Sequence, residues 1–392
     1  MIDVRHRPPV GVLPATHAAA LPAAGTLGGH TAGQLLRLCE VAGLGGADAA
    51  GYARVLTTAL GPVALRPLAL PAPSRSFLSD DHTPVEFSLS FEPGRAPSLR
   101  VLLEPGGGVG GLARSGRSGL RAVRALARRW NFPTDRLDEL EDLFFPLSPQ
   151  GPLALWCALE LRPGGVPRVK VYLNPAASGA DRSAGTVREA LRRLGHPQAF
   201  TALPDSDRIL FLALDLGDWD VPRVKVYTAH KNLSAAAAGG LSRMEDGPGP
   251  TEIEAFFRTA AGLEDGQDTV LDRRPGLACH AFTESATGLP AGFTLHVPVR
   301  DYVRHDGEAL ERASALLRHY GADPAPLLDS VAAVTSRRPE DGAGLIAYLA
   351  LAHQAGRPPR VTVYISSEAY RVRPPAVLSP PAVLSPPAEA VH

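Results

Sequence analysis

The sequence predicts an α+β fold. It is a closed barrel of ten antiparallel strands, built from five helix–helix–strand–strand (ααββ) repeats, surrounded by helices and holding its active site in a central lumen. Three observations carry this. A seven-residue phrase occurs twice, as Val166-Pro167-Arg168-Val169-Lys170-Val171-Tyr172 and Val221-Pro222-Arg223-Val224-Lys225-Val226-Tyr227. A shorter copy, Pro359-Arg360-Val361-Thr362-Val363-Tyr364, replaces Lys with Thr. Each copy alternates with the period of a strand, so Arg168, Lys170, Tyr172 and Asn174 share one face while Val169, Val171 and Leu173 share the other. Landmarks at Arg100, Lys170, Lys225, His296 and Thr362 recur at intervals of roughly 55–70 residues, the span of one repeat.

A polar-out strand on an open sheet shows the same alternation. A solvated face, however, has no need of the same Arg and Tyr in the same order three times. Closing ten strands removes every sheet edge and leaves room for a ligand inside. The apolar faces then point outward and need helices to cover them.

The elements follow in order. Helical patterns at 32–43 and 47–60 precede a hairpin of Val85–Phe91 and Leu99–Glu104. Helices at 117–130 and 135–145 precede Leu153–Leu161 and Arg168–Leu173. Residues 184–194, and a shorter stretch at 196–203, precede Ile209–Leu216 and Arg223–Thr228. Helices near 232–240 and 251–263 precede Leu277–Glu284 and Phe293–Val299. Helices at 306–320 and 324–336 precede Gly344–Ala352 and Arg360–Ser366. Pro163-Gly164-Gly165 and Gly217-Asp218 stand where hairpin turns are needed. Residues 1–30 read as a loosely ordered segment, 31–370 as one barrel domain, and 371–392 as a disordered Pro-rich tail repeating Pro-Pro-Ala-Val-Leu-Ser.

Composition narrows the function. Forty Lys+Arg balance forty Asp+Glu, which offers nucleic acid no overall basic field. Cys39, Cys157 and Cys279 lack metal-ligand spacing and read as reduced thiols. No apolar run approaches a membrane span, and Met1-Ile2-Asp3-Val4-Arg5 lacks the hydrophobic region of a signal peptide, so a cytoplasmic location is expected. Only three of the forty basic residues are Lys. Two of them stand at equivalent places in the repeat, which suits an ammonium holding phosphate as a point charge.

Five segments in order resemble the aromatic prenyltransferases of the dimethylallyltryptophan synthase family, over about 30–370. They are Thr83-Pro84-Val85-Glu86-Phe87-Ser88, Leu99-Arg100-Val101-Leu102-Leu103-Glu104-Pro105, Lys170-Val171-Tyr172-Leu173-Asn174-Pro175, Arg223-Val224-Lys225-Val226-Tyr227, and Arg360 with Tyr364. The resemblance implies a barrel of ααββ repeats and transfer of a dimethylallyl group from dimethylallyl diphosphate to the indole ring of L-tryptophan. It implies that Glu86 accepts the indole N–H, that Arg100, Lys170, Arg223, Lys225 and Arg360 hold the diphosphate, and that Tyr172, Tyr227 and Tyr364 shield the allylic cation. Trp156, Asn174, Arg208 and Thr294 are expected at the acceptor, Arg208 against the amino-acid carboxylate. His296 is expected to take the ring proton, as a side chain poised near neutral pH. Thr294 and His296 stand where the family often has Gln and Tyr. The partners expected are these two small molecules, with neither nucleic acid nor membrane.

Direct Arg/Lys binding implies no metal or other cofactor. Asp80-Asp81 lacks the further Asp of a magnesium-binding cluster. The strand Leu153–Leu161 lacks the Lys that C4-prenylating members carry, a position falling near Cys157. Attack is therefore expected at C5, C6, C7 or N1, with C6 favoured. The alternatives are prenylation of an indole-containing cyclic dipeptide or a phenol, and a noncatalytic barrel that binds a phosphorylated metabolite.

Overall fold

The computed structural model describes residues 20–263, 269–283 and 287–376. Ten strands form the barrel: β1 (Val85–Phe91), β2 (Ser98–Leu103), β3 (Leu155–Glu160), β4 (Arg168–Leu173), β5 (Arg208–Leu216), β6 (Val224–His230), β7 (Gly276–Phe282), β8 (Gly292–Val297), β9 (Ile346–Gln354) and β10 (Arg357–Ser366). Every strand pairs antiparallel with its neighbours in sequence, and β10 returns to pair with β1, so the sheet closes. The ααββ barrel read from the repeats is the fold observed.

Outward side chains, such as Phe87, Val101, Val171, Val226, Phe293, Leu351 and Val363, are fully buried beneath the helices. Each such side chain contributes about 1.5–3 kcal/mol through area removed from water. The covering layer comprises α1 (Leu27–Val41), α2 (Gly46–Leu60), α3 (Leu112–Trp130), α4 (Asp135–Asp138), α5 (Glu141–Phe144), α6 (Ser183–Arg193), α7 (Ala235–Gly239), α8 (Pro250–Ala261), α9 (Asp306–His319) and α10 (Ala325–Val334). One continuous apolar cluster between barrel and helices runs from Leu27 to Ile365. Among the described residues, no helix is long and apolar enough to cross a membrane.

The differences from expectation are local. α1 begins at Leu27, inside the segment read as loose, because the Thr26 hydroxyl accepts from the Gly29 N–H and caps it. Gly28 and Gly29 look like loop residues but serve close approach. A Cβ would lie 2.7 Å from Ala64 at Gly28, and 2.0 Å from the Ala23 carbonyl at Gly29. The helix expected at 135–145 is two single turns, α4 and α5. The stretch at 196–203 is a 3₁₀ turn at Ala199–Ala202. Residues 1–19, most of the Pro-rich tail and Glu284, the last residue of one expected strand, lie outside the described residues.

Candidate active site

Strand alternation places the site. The lumen face carries Glu86, Ser88 and Ser90 on β1, Arg100 on β2, Trp156, Ala158 and Glu160 on β3, and Lys170 and Tyr172 on β4. It continues with Phe211, Ala213 and Asp215 on β5, Lys225 and Tyr227 on β6, Thr294 and His296 on β8, Tyr348 on β9, and Arg360, Thr362 and Tyr364 on β10. The register stacks these groups in three zones along the barrel axis.

At the hairpin-turn end lies a cavity of about 860 Å³ lined by Arg100, Lys170, Arg223, Lys225 and Arg360. All five expected diphosphate ligands therefore meet in one place. Four of them face a carboxylate. Lys170 Nζ is 3.0 Å and Arg223 is 3.3 Å from Asp215, Arg100 is 3.3 Å from Glu160, and Arg360 is 3.6 Å from Glu92. Burial alone would raise the Asp215 carboxyl, but Lys170 and Arg223 outweigh it and hold the pKa below the usual range. Lys225 stands apart, because its cross-strand neighbours are Ala213 and Ala281. Burial drives its ammonium well below the ordinary lysine pKa, and nearby Lys170 and Arg223 add to the effect. This end is preorganised for an anion that would displace three carboxylates and charge the buried amine.

Below it is an aromatic sleeve. Tyr172 and Tyr227 have ring centroids 5.7 Å apart, Phe211 lies 5.9 Å from Tyr227, and Trp156 lies 5.2 Å from Phe211. His296 bridges Tyr227 and Tyr364 at 5.8 and 5.6 Å. Burial holds the Tyr227 and Tyr364 hydroxyls protonated, so neutral ring faces surround the axis and could stabilise a carbocation by about 0.5–2 kcal/mol each.

Deepest, where the helices join the strands, is Glu86. Only 6% exposed, it lies across from Leu102 and Ser366. Burial pushes its carboxyl up to about 8, with Arg300 opposing and Asp80 adding to the shift. Trp156 packs against Leu78, Leu153, Leu102, Tyr172 and Phe211 and forms one wall of this zone. Thr294 faces the lumen between Cys279 and Ala352.

Several expectations change here. Burial, aided by the Lys225 charge, lowers the His296 pKa to about 3. The premise of a histidine poised near neutrality is therefore corrected. The Asn174 amide donates to the carbonyls of Gln150 and Leu153, and its oxygen accepts from the Ala176 N–H. It organises the turn after β4 rather than offering itself to an acceptor. Arg208 is exposed at the start of β5, where a register shift before Phe211 sets it across from Ala229, on the face shared with Lys225 and Tyr227. Cys157 faces the helices, across from Leu103 and Val171.

Sequence reasoning missed Glu92, Glu160, Asp215, Tyr348 and Arg300. Glu160 is in phase with Trp156 along β3, and Asp215 with Phe211 and Ala213 along β5, so counting by two would have found both. Arg300 follows β8 in a 3₁₀ turn, where no period points to the lumen. The pairing of Asp215 gives an expected result. Asp215→Asn should tighten inorganic diphosphate binding by about tenfold in calorimetry, because it removes a like charge from the anion's path.

A basic pocket above an aromatic sleeve above a buried hydrogen-bond acceptor defines a barrel enzyme that ionises an organic diphosphate beside an aromatic acceptor. Comparison with known proteins agrees. The tryptophan dimethylallyltransferase family matches residues 50–326. The chain is similar to the prenyltransferase PriB, solved as a ternary complex with L-tryptophan and dimethylallyl thiolodiphosphate. That match has 65% identity over 91% of this chain and 100% of that one, with a TM-score of 0.88. Similar also are the 5-dimethylallyltryptophan synthase of Streptomyces coelicolor (65% identity, 91% and 99% coverage, TM-score 0.86) and the 6-dimethylallyltryptophan synthase of Micromonospora olivasterospora (41% identity, 89% and 99% coverage, TM-score 0.81). The chain belongs to the tryptophan dimethylallyltransferase family and is a prenyltransferase.

Proposed function

We propose that this enzyme alkylates the benzene ring of L-tryptophan with the dimethylallyl group of dimethylallyl diphosphate, without a divalent metal. The observation that carries this is the axial order of the zones: cations for the leaving anion, neutral aromatic rings for the allylic cation, and Glu86 for the indole N–H. In sequence, the C–O bond breaks with its electron pair passing to diphosphate held by Arg100, Lys170, Arg223, Lys225 and Arg360. Preorganised charge of this kind stabilises the transition state by a few kcal/mol per group. Tyr172, Tyr227 and Tyr364 keep water from the cation. A ring carbon then attacks, a C–C bond forms, and loss of the ring proton restores aromaticity. His296, held unprotonated chiefly by burial, accepts that proton, which the cationic ring gives up even to a weak base.

β3 carries no lysine, which argues against the C4 mechanism. We assign attack to C6, with C5 as the alternative, since the relatives include enzymes of both names. The five cations take the part that a metal plays elsewhere. The test is mass spectrometry of purified enzyme with L-tryptophan and dimethylallyl diphosphate in EDTA. A product heavier by one isoprene unit is expected, and NMR then places the group. Turnover lost to chelator and restored by magnesium would overturn metal independence. Product with cyclic dipeptides or phenols, but not with tryptophan, would move the acceptor.

A further inference from the structure

We propose that Glu104 is a positioning residue of the acceptor pocket: it takes the indole N–H of Trp156, sets the plane of that ring, and so fixes which carbon of the acceptor meets the allylic cation. The inference rests on tryptophan being the acceptor.

Glu104 ends β2's lumen-facing row, in phase with Arg100 and Leu102, and no step of the reaction has used it. It stands one pair beyond Leu103 and Cys157, which places it across from Trp156 on the same face. It is 4% exposed, and among the described residues no basic side chain pairs with it. Its backbone N–H donates to the Pro84 carbonyl at 3.0 Å. Its side chain runs beneath Gly108. A Cβ at Gly108 would lie 2.8 Å from Glu104 Oε1, so a left-handed glycine (φ +70°) leaves the room the carboxyl needs.

Glu104 Oε2, Ser115 Oγ and Trp156 Nε1 are all buried, and none has a partner in hydrogen-bond geometry. Native proteins pair such atoms, and one carboxyl has acceptors enough for a hydroxyl and an indole N–H together. Burial raises the Glu104 carboxyl, and the donors Ser76, Ser115 and Trp156 oppose the rise. The Ser76 hydroxyl also accepts the Leu78 N–H at 3.3 Å, and Leu78 packs against Trp156. Of the three donors, Trp156 is the one that walls the lumen, where its ring meets Phe211 at 5.2 Å with 43° between the planes. A bond behind the wall thus controls the slot in front of it. Glu86 holds the acceptor at a single N–H, which leaves the acceptor ring free to swing, and the face of Trp156 limits that swing. With its own N–H released, Trp156 could turn about its side-chain bonds and the limit would be lost.

The experiment reads the isomers formed from L-tryptophan and dimethylallyl diphosphate by NMR. It also reads the indole N–H resonances of the enzyme's three tryptophans after nitrogen-15 labelling. The variants are Glu104→Leu, Glu104→Gln, Trp156→Phe and the Leu/Phe double. Glu104→Leu removes the acceptor at similar volume and is expected to raise the share of minor ring isomers at least ~10-fold, the scale of one buried hydrogen bond. The Trp156 resonance should move while those of Trp130 and Trp219 stay, and KM for dimethylallyl diphosphate should change less than ~3-fold. Glu104→Gln keeps an acceptor and should hold the isomer ratio within ~3-fold of wild type. Trp156→Phe should spread the isomers too, and adding Glu104→Leu to it should change little more. Unchanged isomers in Glu104→Leu would overturn the proposal, as would an equal further spread in the Trp156→Phe background. If the Leu variant does not fold, Glu104→Gln decides: its Trp156 resonance should move, and one identical to wild type overturns the bond. A wild type that makes no product from tryptophan would overturn the acceptor reading, and the same resonance would still confirm or refute the Glu104–Trp156 bond.

Discussion

Glu86→Gln is expected to lower kcat/KM for the indole acceptor by ~10²–10³-fold while leaving diphosphate affinity within about twofold. Gln keeps the shape and a carbonyl acceptor but removes the negative charge that would strengthen the indole N–H bond as positive charge builds in the ring. Loss of one preorganised electrostatic group costs about this much. A barrel that merely held a phosphorylated metabolite would be indifferent to the change. The pH profile supplies a second readout. The Glu86 carboxyl is raised to about 8, so it is mostly neutral near pH 7 and ionises above that. Because kcat/KM reports the free enzyme, the wild-type value should climb as pH rises through about 8, and Glu86→Gln should flatten that climb. Stability should move the other way. A carboxyl raised on folding contributes stability that is fully present below its unfolded pKa of about 4.5 and is lost as pH rises through about 8. Thermal melts of the two proteins should therefore converge at acid pH and separate at alkaline pH.

Lys225→Met is expected to reduce turnover by ~10²-fold or more while raising the melting temperature by about 1–2 °C, the change produced by about 1 kcal/mol when the unfolding entropy is scaled to 392 residues. The opposite signs have one cause. Lys225 is walled by Ala213 and Ala281, makes no ion pair among the described residues, and has its ammonium form disfavoured by burial. In the empty enzyme that amine is a desolvation cost which Met relieves. With diphosphate bound it becomes a charge-assisted donor with no competing carboxylate. Because a lysine pKa lowered on folding destabilises the native state below the unfolded pKa, the Met variant's advantage should shrink as pH rises towards about 10.5. Differential scanning fluorimetry with and without inorganic diphosphate checks both halves. A variant that melts lower without ligand, or that keeps full turnover, would contradict this account.

The parts legible in the sequence were those that repeat. Arg168-Val169-Lys170-Val171-Tyr172 and its two relatives disclosed strand, face and barrel together, because a period-2 pattern under helices is dictated by burial alone. Five cations and three tyrosines fell into place for the same reason. What stayed hidden was set by tertiary context. Nothing local marks Asn174 as a brace for the turn after β4, since its partners, Gln150 and Leu153, belong to the chain before β3. His296 reads as a group poised near neutrality until closure of the barrel buries it, with the charge of Lys225, two strands away, adding to the effect. Arg300 lies in a 3₁₀ turn after β8, and only closure of the barrel sets its guanidinium over the Tyr348 ring.

Hydrogen bonding of β10 to β1 also bears on biosynthesis. The first strand leaves the ribosome early and waits unpaired on one side until the last emerges, so the catalytic chamber does not exist during translation. A ring sealed by its two most distant strands has a high contact order, which favours slow maturation and a transient opportunity for pairing between nascent chains. Shortening the polypeptide before Ser366 should therefore abolish the chamber rather than trim it.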